Sequence, residues 1–343
     1  MATLQESNVA DQTFGRGGGA QASNTAFGRF ALANNGSCTL NTGLGTRTIQ
    51  QGGYAMTGLG YRAGVYNSGA SWNTLVGSSA GANSYSNSNK TAIGVFAGYF
   101  QSPDSVSIGN SSNTTNTNKP GSVAMGIYAN CADGGTSVGH RAGQFRTSFA
   151  TINIGAFAGQ YNTSYSSNIS IGHYTGRFTA GVSNIIHVGW YAYNHNGYGT
   201  PNQTSIGRAN NQTACVWVGW SNVSDNRDKT GITPLTDNLG INFVRKLRPV
   251  TYNWDKRVHY QDKCGYEYGI KDGTLAEDTE DYGFIAQEVE VAAHQLGEKF
   301  DAIAYGDYQD AYSVSYLEFV AVLTKALQKI NDDLDLIENH LTT

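Results

Sequence analysis

Residues 90–109 read KTAIGVFAGYFQSPDSVSIG, and the two phrases TAIG and SVSIG end on glycines fifteen residues apart, Gly94 and Gly109. The phrase recurs thirteen times between residues 24 and 220, from NTAFG ending at Gly28 to CVWVG ending at Gly219. Most intervals are 15 to 17 residues, with single intervals of 12, 13 and 18. Three positions before each glycine sits a β-branched residue in every copy, as at Thr25, Thr91, Ile186 and Val216. Immediately before each glycine the residue is always apolar, as at Ile93, Ile108 and Ile171. The residue between them varies from Ala92 to Asn153, His187 and Trp217.

That is a period of two, so each copy is a short strand with one face buried and the other free. Such a strand buries too little on its own, and successive copies must stack. The glycine ends the strand where the chain needs positive φ or close backbone approach. Alanine recurs three residues later (Ala63, Ala80, Ala97, Ala142, Ala158), which fits a tight corner. Abundant Gly, Ser, Asn and Thr also suits low-complexity disorder, but thirteen matches out of thirteen at one position argue against it. The expected fold is mainly β: a repetitive, β-helix or β-solenoid-like rod over residues 24–223. Side-by-side or interwound association of three chains would cover strand edges that invite aggregation.

Charge divides the chain at the same place as the repeats. Residues 1–223 carry ten Lys/Arg and four Asp/Glu, residues 224–343 twelve and twenty-two. The first part is too sparsely charged for a nucleic-acid arm, so no nucleic-acid partner is expected. The opening MATLQESNVADQ lacks the basic start and apolar run of a signal peptide. No run of about 18 apolar residues predicts a membrane span. Cys38, Cys131, Cys215 and Cys264 stand singly, which argues against a zinc site or a disulfide framework; neither metal nor cofactor is expected.

Residues 224–343 read as a compact α+β domain. In TPLTDNLGINFVRKL, Leu239, Phe243, Val244 and Leu247 share a helical face that Pro249 closes. VTYNW alternates Val250, Tyr252 and Trp254 inward as a strand. Residues 271–282 read as a polar turn and acidic loop, and FIAQEVEVAAHQL as a short strand running into an amphipathic helix. In the last stretch, 315–341, Tyr316, Val320, Leu323, Leu327, Ile330, Leu334, Ile337 and Leu341 follow 4-3-4-3-4-3-4 spacing. That is an a/d seam over more than three heptads, the pattern by which helices of separate chains associate. A helix lying on its own domain is the alternative.

SDNRDKTGI (224–232), LRPVTYNWD (247–255), YGFIAQEVE (282–290) and SYLEFVAVLTKALQ (315–328) resemble, in order, the landmark motifs of the peptidase S74 family. Its members are self-cleaving intramolecular chaperones at the C-termini of phage tail fibres, tailspikes and endosialidases. The resemblance implies that residues 224–343 trimerise, guide folding of the fibre upstream, and then release themselves. It implies a trimeric coiled coil in the last helix, a nucleophile at Ser224, a partner lysine at Lys229, and a frame of Val223, Asp225 and Arg227. It further implies a virion tail component made in the host cytoplasm, with residues 1–23 as lead-in to a tail or baseplate protein.

The chemistry is consistent with those residue types. A serine hydroxyl can attack the carbonyl just before it and convert the amide to an ester that water hydrolyses. Scission then falls most naturally at Val223–Ser224, with Ser224–Asp225 the alternative. The hydroxyl needs an adjacent base, and a lysine serves only when neutral. Residues five apart do not share a helical face, so a turn has to bring them together.

Residues 187–198, HVGWYAYNHNGY, concentrate rings and amides. Trp190, Tyr191, Tyr193, His195 and Tyr198 offer flat faces with polar tips, the chemistry of sugar recognition, so a host-surface glycan or protein is the expected receptor. Packing along a trimer axis is the other use for such rings. His140, His173 and His187 read as equivalent places in separate repeats, facing solvent or ringing an ion. A glycan-degrading tailspike is the rival function. It needs two carboxylates flanking the bond, and residues 1–223 supply only Glu6, Asp11, Asp104 and Asp133.

Overall fold

The computed structural model describes residues 7–9, 12–19, 21–100, 102–114, 120–131, 133–145, 149–161, 167–177, 183–192, 202–207, 222–260, 270–306 and 311–342. The chain forms two compact units that divide close to residue 208. The thirteenth repeat lies in the stretch 208–221, outside the described residues.

The first unit is a β-solenoid held in one fourteen-stranded sheet whose strand order follows the chain. β1 (Ser7–Val9) and β2 (Gln12–Gly15) form an antiparallel hairpin, and β2 also pairs antiparallel with β3 (Thr25–Gly28). From β3 to β14 (Thr204–Ile206) every pairing is parallel, one strand per repeat, with equivalent residues in register: Thr74 pairs with Thr91, and Thr91 with Val106. Each strand bonds in both directions. Thr91 donates its N–H forward to the Ser105 carbonyl (3.0 Å), while Gly109 donates back to that of Ile93 (2.8 Å). The repeats therefore stack within a single chain, and the N-terminal hairpin covers the first edge that the stack would otherwise expose.

The buried face is the one that carries the variable residue. Ala92, Ser107, Asn153 and His187 lie within 1 % of full burial, while Phe27, Ile93, Ile154 and Ile206 are 38–67 % exposed. The bore is narrow, and its corners are lined by the recurrent alanines, all fully buried. Where the variable position is glycine, a larger neighbour fills the space: a Cβ at Gly58 would lie 2.8 Å from Ile49 Cγ1. The variation thus records side-chain volumes balanced within each rung. Strand edges are satisfied by stacking, so the surface left uncovered is the outward face of the strands rather than their edges.

Side chains at the strand starts pair with main-chain groups of the next rung, whereas Ser107 Oγ, Asn153 Oδ1 and Ser170 Oγ, buried in the bore, have no hydrogen-bond partner among the described residues. The asparagine before each of several strands accepts the main-chain N–H of its counterpart one rung on: Asn24 Oδ1 from Asn41 (2.9 Å), Asn73 Oδ1 from Lys90 (2.9 Å), Asn168 Oδ1 from Ile185 (3.0 Å). The anchoring glycines stack on one another. At Gly94, φ is +130°, and an added Cβ would sit 2.6 Å from the Gly109 carbonyl oxygen, so positive φ and close approach both act.

Among its described residues the second unit contains two small antiparallel strand pairs and two α-helices. β15 (Val250–Asn253) pairs antiparallel with β16 (Glu280–Gly283), and β17 (Ile303–Gly306) with β18 (Ala311–Val314). Helix α1 spans Ala286–His294 and α2 Phe319–Leu341. The core gathers Phe243, Val289, Phe319 and Val322, with Phe284 and Phe300 packed against it. Phe319 stacks on Phe284 (5.2 Å between centroids) and meets Phe300 edge-on (5.0 Å).

Three expectations need amendment. The helix expected up to Pro249 is a short π-type turn, Asn238–Asn242, running on briefly through Phe243 and Val244, because Gly240 breaks the regular backbone where α2 passes close. A Cβ at Gly240 would lie 2.8 Å from Lys325 Cγ. Trp254 is 44 % exposed rather than inward; its indole N–H donates to Asp281 Oδ2 at 3.0 Å. The acidic stretch 271–282 ends in strand, since Glu280–Tyr282 pair with β15.

Candidate functional site

A single 3-10 turn, Asn226–Asp228, follows Ser224. Asp225 caps it, its carboxylate accepting the Arg227 main-chain N–H at 2.8 Å. The Arg227 side chain grips the same carboxylate in two places, Nε to Oδ1 at 3.0 Å and Nη2 to Oδ2 at 2.6 Å, which holds the Asp225 carboxyl below the usual range. Lys229 leaves the turn with its N–H on the Asn226 carbonyl (3.2 Å). Its side chain folds back, and Nζ donates to Ser224 Oγ at 2.5 Å. The turn supplies the reversal that a five-residue separation requires. Ser224, Lys229 and Val223 are all exposed in the single chain, and Val223 is 89 % exposed.

The other three motif segments meet within the second unit. Arg248 and Glu288 pair through two hydrogen bonds, and the Phe284 N–H donates to the Tyr316 hydroxyl at 3.2 Å. Gly283 lies against that hydroxyl, where a Cβ would come within 2.3 Å. Helix α2 has two faces. Phe319, Val322 and Ala326 are buried on the domain, whereas the heptad residues Val320, Leu323, Leu327, Ile330, Leu334, Ile337 and Leu341 are 43–81 % exposed. Every described residue from Asn331 onward is exposed. The helix therefore packs on its own domain through one face, and the heptad seam is left uncovered in the single chain.

Trp190 is 52 % exposed and its indole N–H donates to His173 Nδ1 at 3.1 Å. Tyr191 stacks on Tyr174 (4.9 Å), which stacks on Phe157 (4.5 Å). Arg177 lies 4.9 Å from the Tyr174 ring centre. Tyr193, His195 and Tyr198 lie outside the described residues. The reading that sought a local aromatic cluster missed Phe157 and Tyr174. Both stand two residues after an anchoring glycine, as Tyr191 does, so aligning the repeats at that position would have found the column. His140 and His173 share an exposed place directly after their glycines, but His187 points into the bore and is not equivalent to them.

Asp104 is exposed and accepts a hydrogen bond from Asn89 Nδ2 at 2.8 Å; Glu6 and Asp11 lie outside the described residues. Among the described residues no group of three or more His, Cys, Asp or Glu is placed to hold a metal ion. No described helix is long and apolar enough to cross a membrane.

Residues 224–298 match the family model of Peptidase_S74, the chaperone of endosialidase. The matched segment starts at Ser224 and runs past α1. The chain thus carries a chaperone-of-endosialidase domain behind a β-solenoid, a layout that fits a tail fibre or tailspike with a C-terminal chaperone. No curated protein matches the chain, and no solved structure does.

Proposed function

We propose that this chain is a phage tail fibre or tailspike that binds a host-surface glycan as a homotrimer, assembled by a C-terminal chaperone that then cuts itself free. The observation that carries this reading is the Lys229–Ser224 hydrogen bond at the first residue of the family match. Ser224 Oγ attacks the Val223 carbonyl carbon, the C–N bond breaks, and the Ser224 nitrogen leaves as an amine. The resulting ester is hydrolysed by water to a Val223 carboxylate and a free Ser224 hydroxyl. Lys229 takes the hydroxyl proton, which requires its neutral form, and a lysine becomes neutral when water is removed from around it. Both side chains are exposed in the single chain, so association that covers them is the step that turns cleavage on. Three copies of α2 joined through the uncovered heptad seam would provide that association. The rings of Trp190, Tyr191 and Tyr174 serve as sugar platforms.

The test is expression of the full chain. Wild type should give two fragments, the smaller beginning at Ser224, whereas Ser224→Ala and Lys229→Ala should each give one full-length band. Equal cutting of wild type and Ser224→Ala would overturn the self-cleavage reading.

A further inference from the structure

The solenoid presents two outward columns, three residues and one residue before the anchoring glycines. In β3–β14 not one position in either column is charged. The second column is apolar throughout, and Ile93, Met125, Ile154 and Ile171 in it are 38–41 % exposed. The first begins as threonine and turns to valine and isoleucine further along, with Ile152 and Ile186 39 % and 38 % exposed. These are the most regular positions of the sequence, yet they face away from the bore of their own chain.

We infer that this double column is the face through which the solenoids of separate copies pack against one another. It rests on the reading of the chain as a self-associating fibre and adds an interface on the first unit to the helical seam of the second. Rungs spaced about 4.8 Å apart make the strip roughly 50 Å long, and two columns on one strand make it about 10 Å wide. Some 500 Å² of uncharged strip, apolar along the whole second column and threonine at seven of the twelve rungs of the first, is of the order of the core of a stable interface.

A receptor or tail protein would demand such chemistry at one place, whereas here it runs through every rung. The occupant must carry an uncharged strip of the same length and pitch, with an apolar column running its full length. A second copy of this chain meets that condition rung by rung. The open heptad seam on α2 calls for the same partner on independent grounds.

The test places the photo-crosslinking residue benzoylphenylalanine at Ile108 or Ile154 of the full chain, with a control at Ser68, which is exposed and outside both columns. After irradiation we expect covalent adducts of two and three chains from Ile108 and Ile154 and none from Ser68. A native mass of three chains without such adducts overturns this face and leaves trimerisation standing. Equal adducts from Ser68 also overturn it. A native mass of one chain overturns both.

Discussion

Inside the solenoid, Lys90 Nζ lies 3.4 Å from Asn67 Oδ1 and 3.3 Å from the Ser84 carbonyl oxygen, with the lysine only 1 % exposed. It occupies the inward place that Asn24, Asn41 and Asn73 hold in other rungs. Burial pushes its ammonium down from 10.5 to about 7. Below about pH 7 folded and unfolded chains both hold the proton, and the cost of enclosing it is present in full. Between about 7 and 10.5 only the unfolded chain holds it, so stability rises with pH across that window. At roughly 1.4 kcal/mol per pKa unit the full effect is several kcal/mol. We expect Lys90→Met to melt higher than wild type at about pH 6, with the gap narrowing by about pH 9. A gap independent of pH would show that Lys90 does not titrate in this way.

Gly94→Ala should be far more damaging than Gly36→Ala. At Gly36 φ is +55° and nothing lies within 4 Å of an added Cβ, so the cost is the left-handed conformation alone, about 1–2 kcal/mol. At Gly94 the methyl would meet the Gly109 carbonyl as well. Thermal unfolding of the two variants compares the costs; equal melting temperatures would mean that the glycine column tolerates a wider rung spacing.

The two faces of α2 separate association from folding. Leu327→Asp with Leu334→Asp alters exposed positions, so the domain should fold while native mass falls from three chains to one. Val322→Asp places an unpaired charge at a site 2 % exposed and should yield insoluble protein. Retention of three-chain mass by the double variant would remove the seam from the interface.

Adsorption of the soluble fibre to host cells tests the aromatic column. Trp190→Ala and Tyr174→Ala should each weaken it roughly tenfold, the loss of about 1–2 kcal/mol common for a ring at a binding hot spot. Tyr54→Ala, which removes an exposed ring from an early rung, should leave adsorption unchanged. If all three variants bind like wild type, the receptor contacts lie elsewhere.

Cleaved wild-type fibre should resist heating in detergent, because stacked and laterally packed rungs must open together. Residues 1–223 produced alone should not reach that state. Equal resistance of the two preparations would show that the C-terminal domain is not needed for assembly.

The sequence made the solenoid legible because register pairing repeats a constraint at every rung; Gly94 and Gly109 are alike for the same backbone reason. Which strand face is buried was not legible. Hydrophobicity pointed outward at Ile93 and volume pointed inward at Ala92, and only the width of the bore decides between them. In the second unit, Trp254 carried a strand pattern yet stays half in solvent because its indole bonds Asp281. The hairpin of β17 and β18 was missed for want of periodicity in two four-residue strands. Ser224 and Lys229 were legible from their motif, while the fold-back of Lys229 depends on a turn that residue spacing alone does not specify.

In-register stacking also has a consequence for how such a rod changes over generations. Since Gly94 and Gly109 hold equivalent places with φ of +130° and +121°, excising residues 95–109 would join two ends that already have matching geometry. The rod would shorten by one rung, about 4.8 Å, with neither the bore nor the glycine column interrupted. Recombination between repeats can therefore lengthen or shorten the solenoid in whole steps, leaving the N-terminal hairpin and the C-terminal domain untouched in sequence.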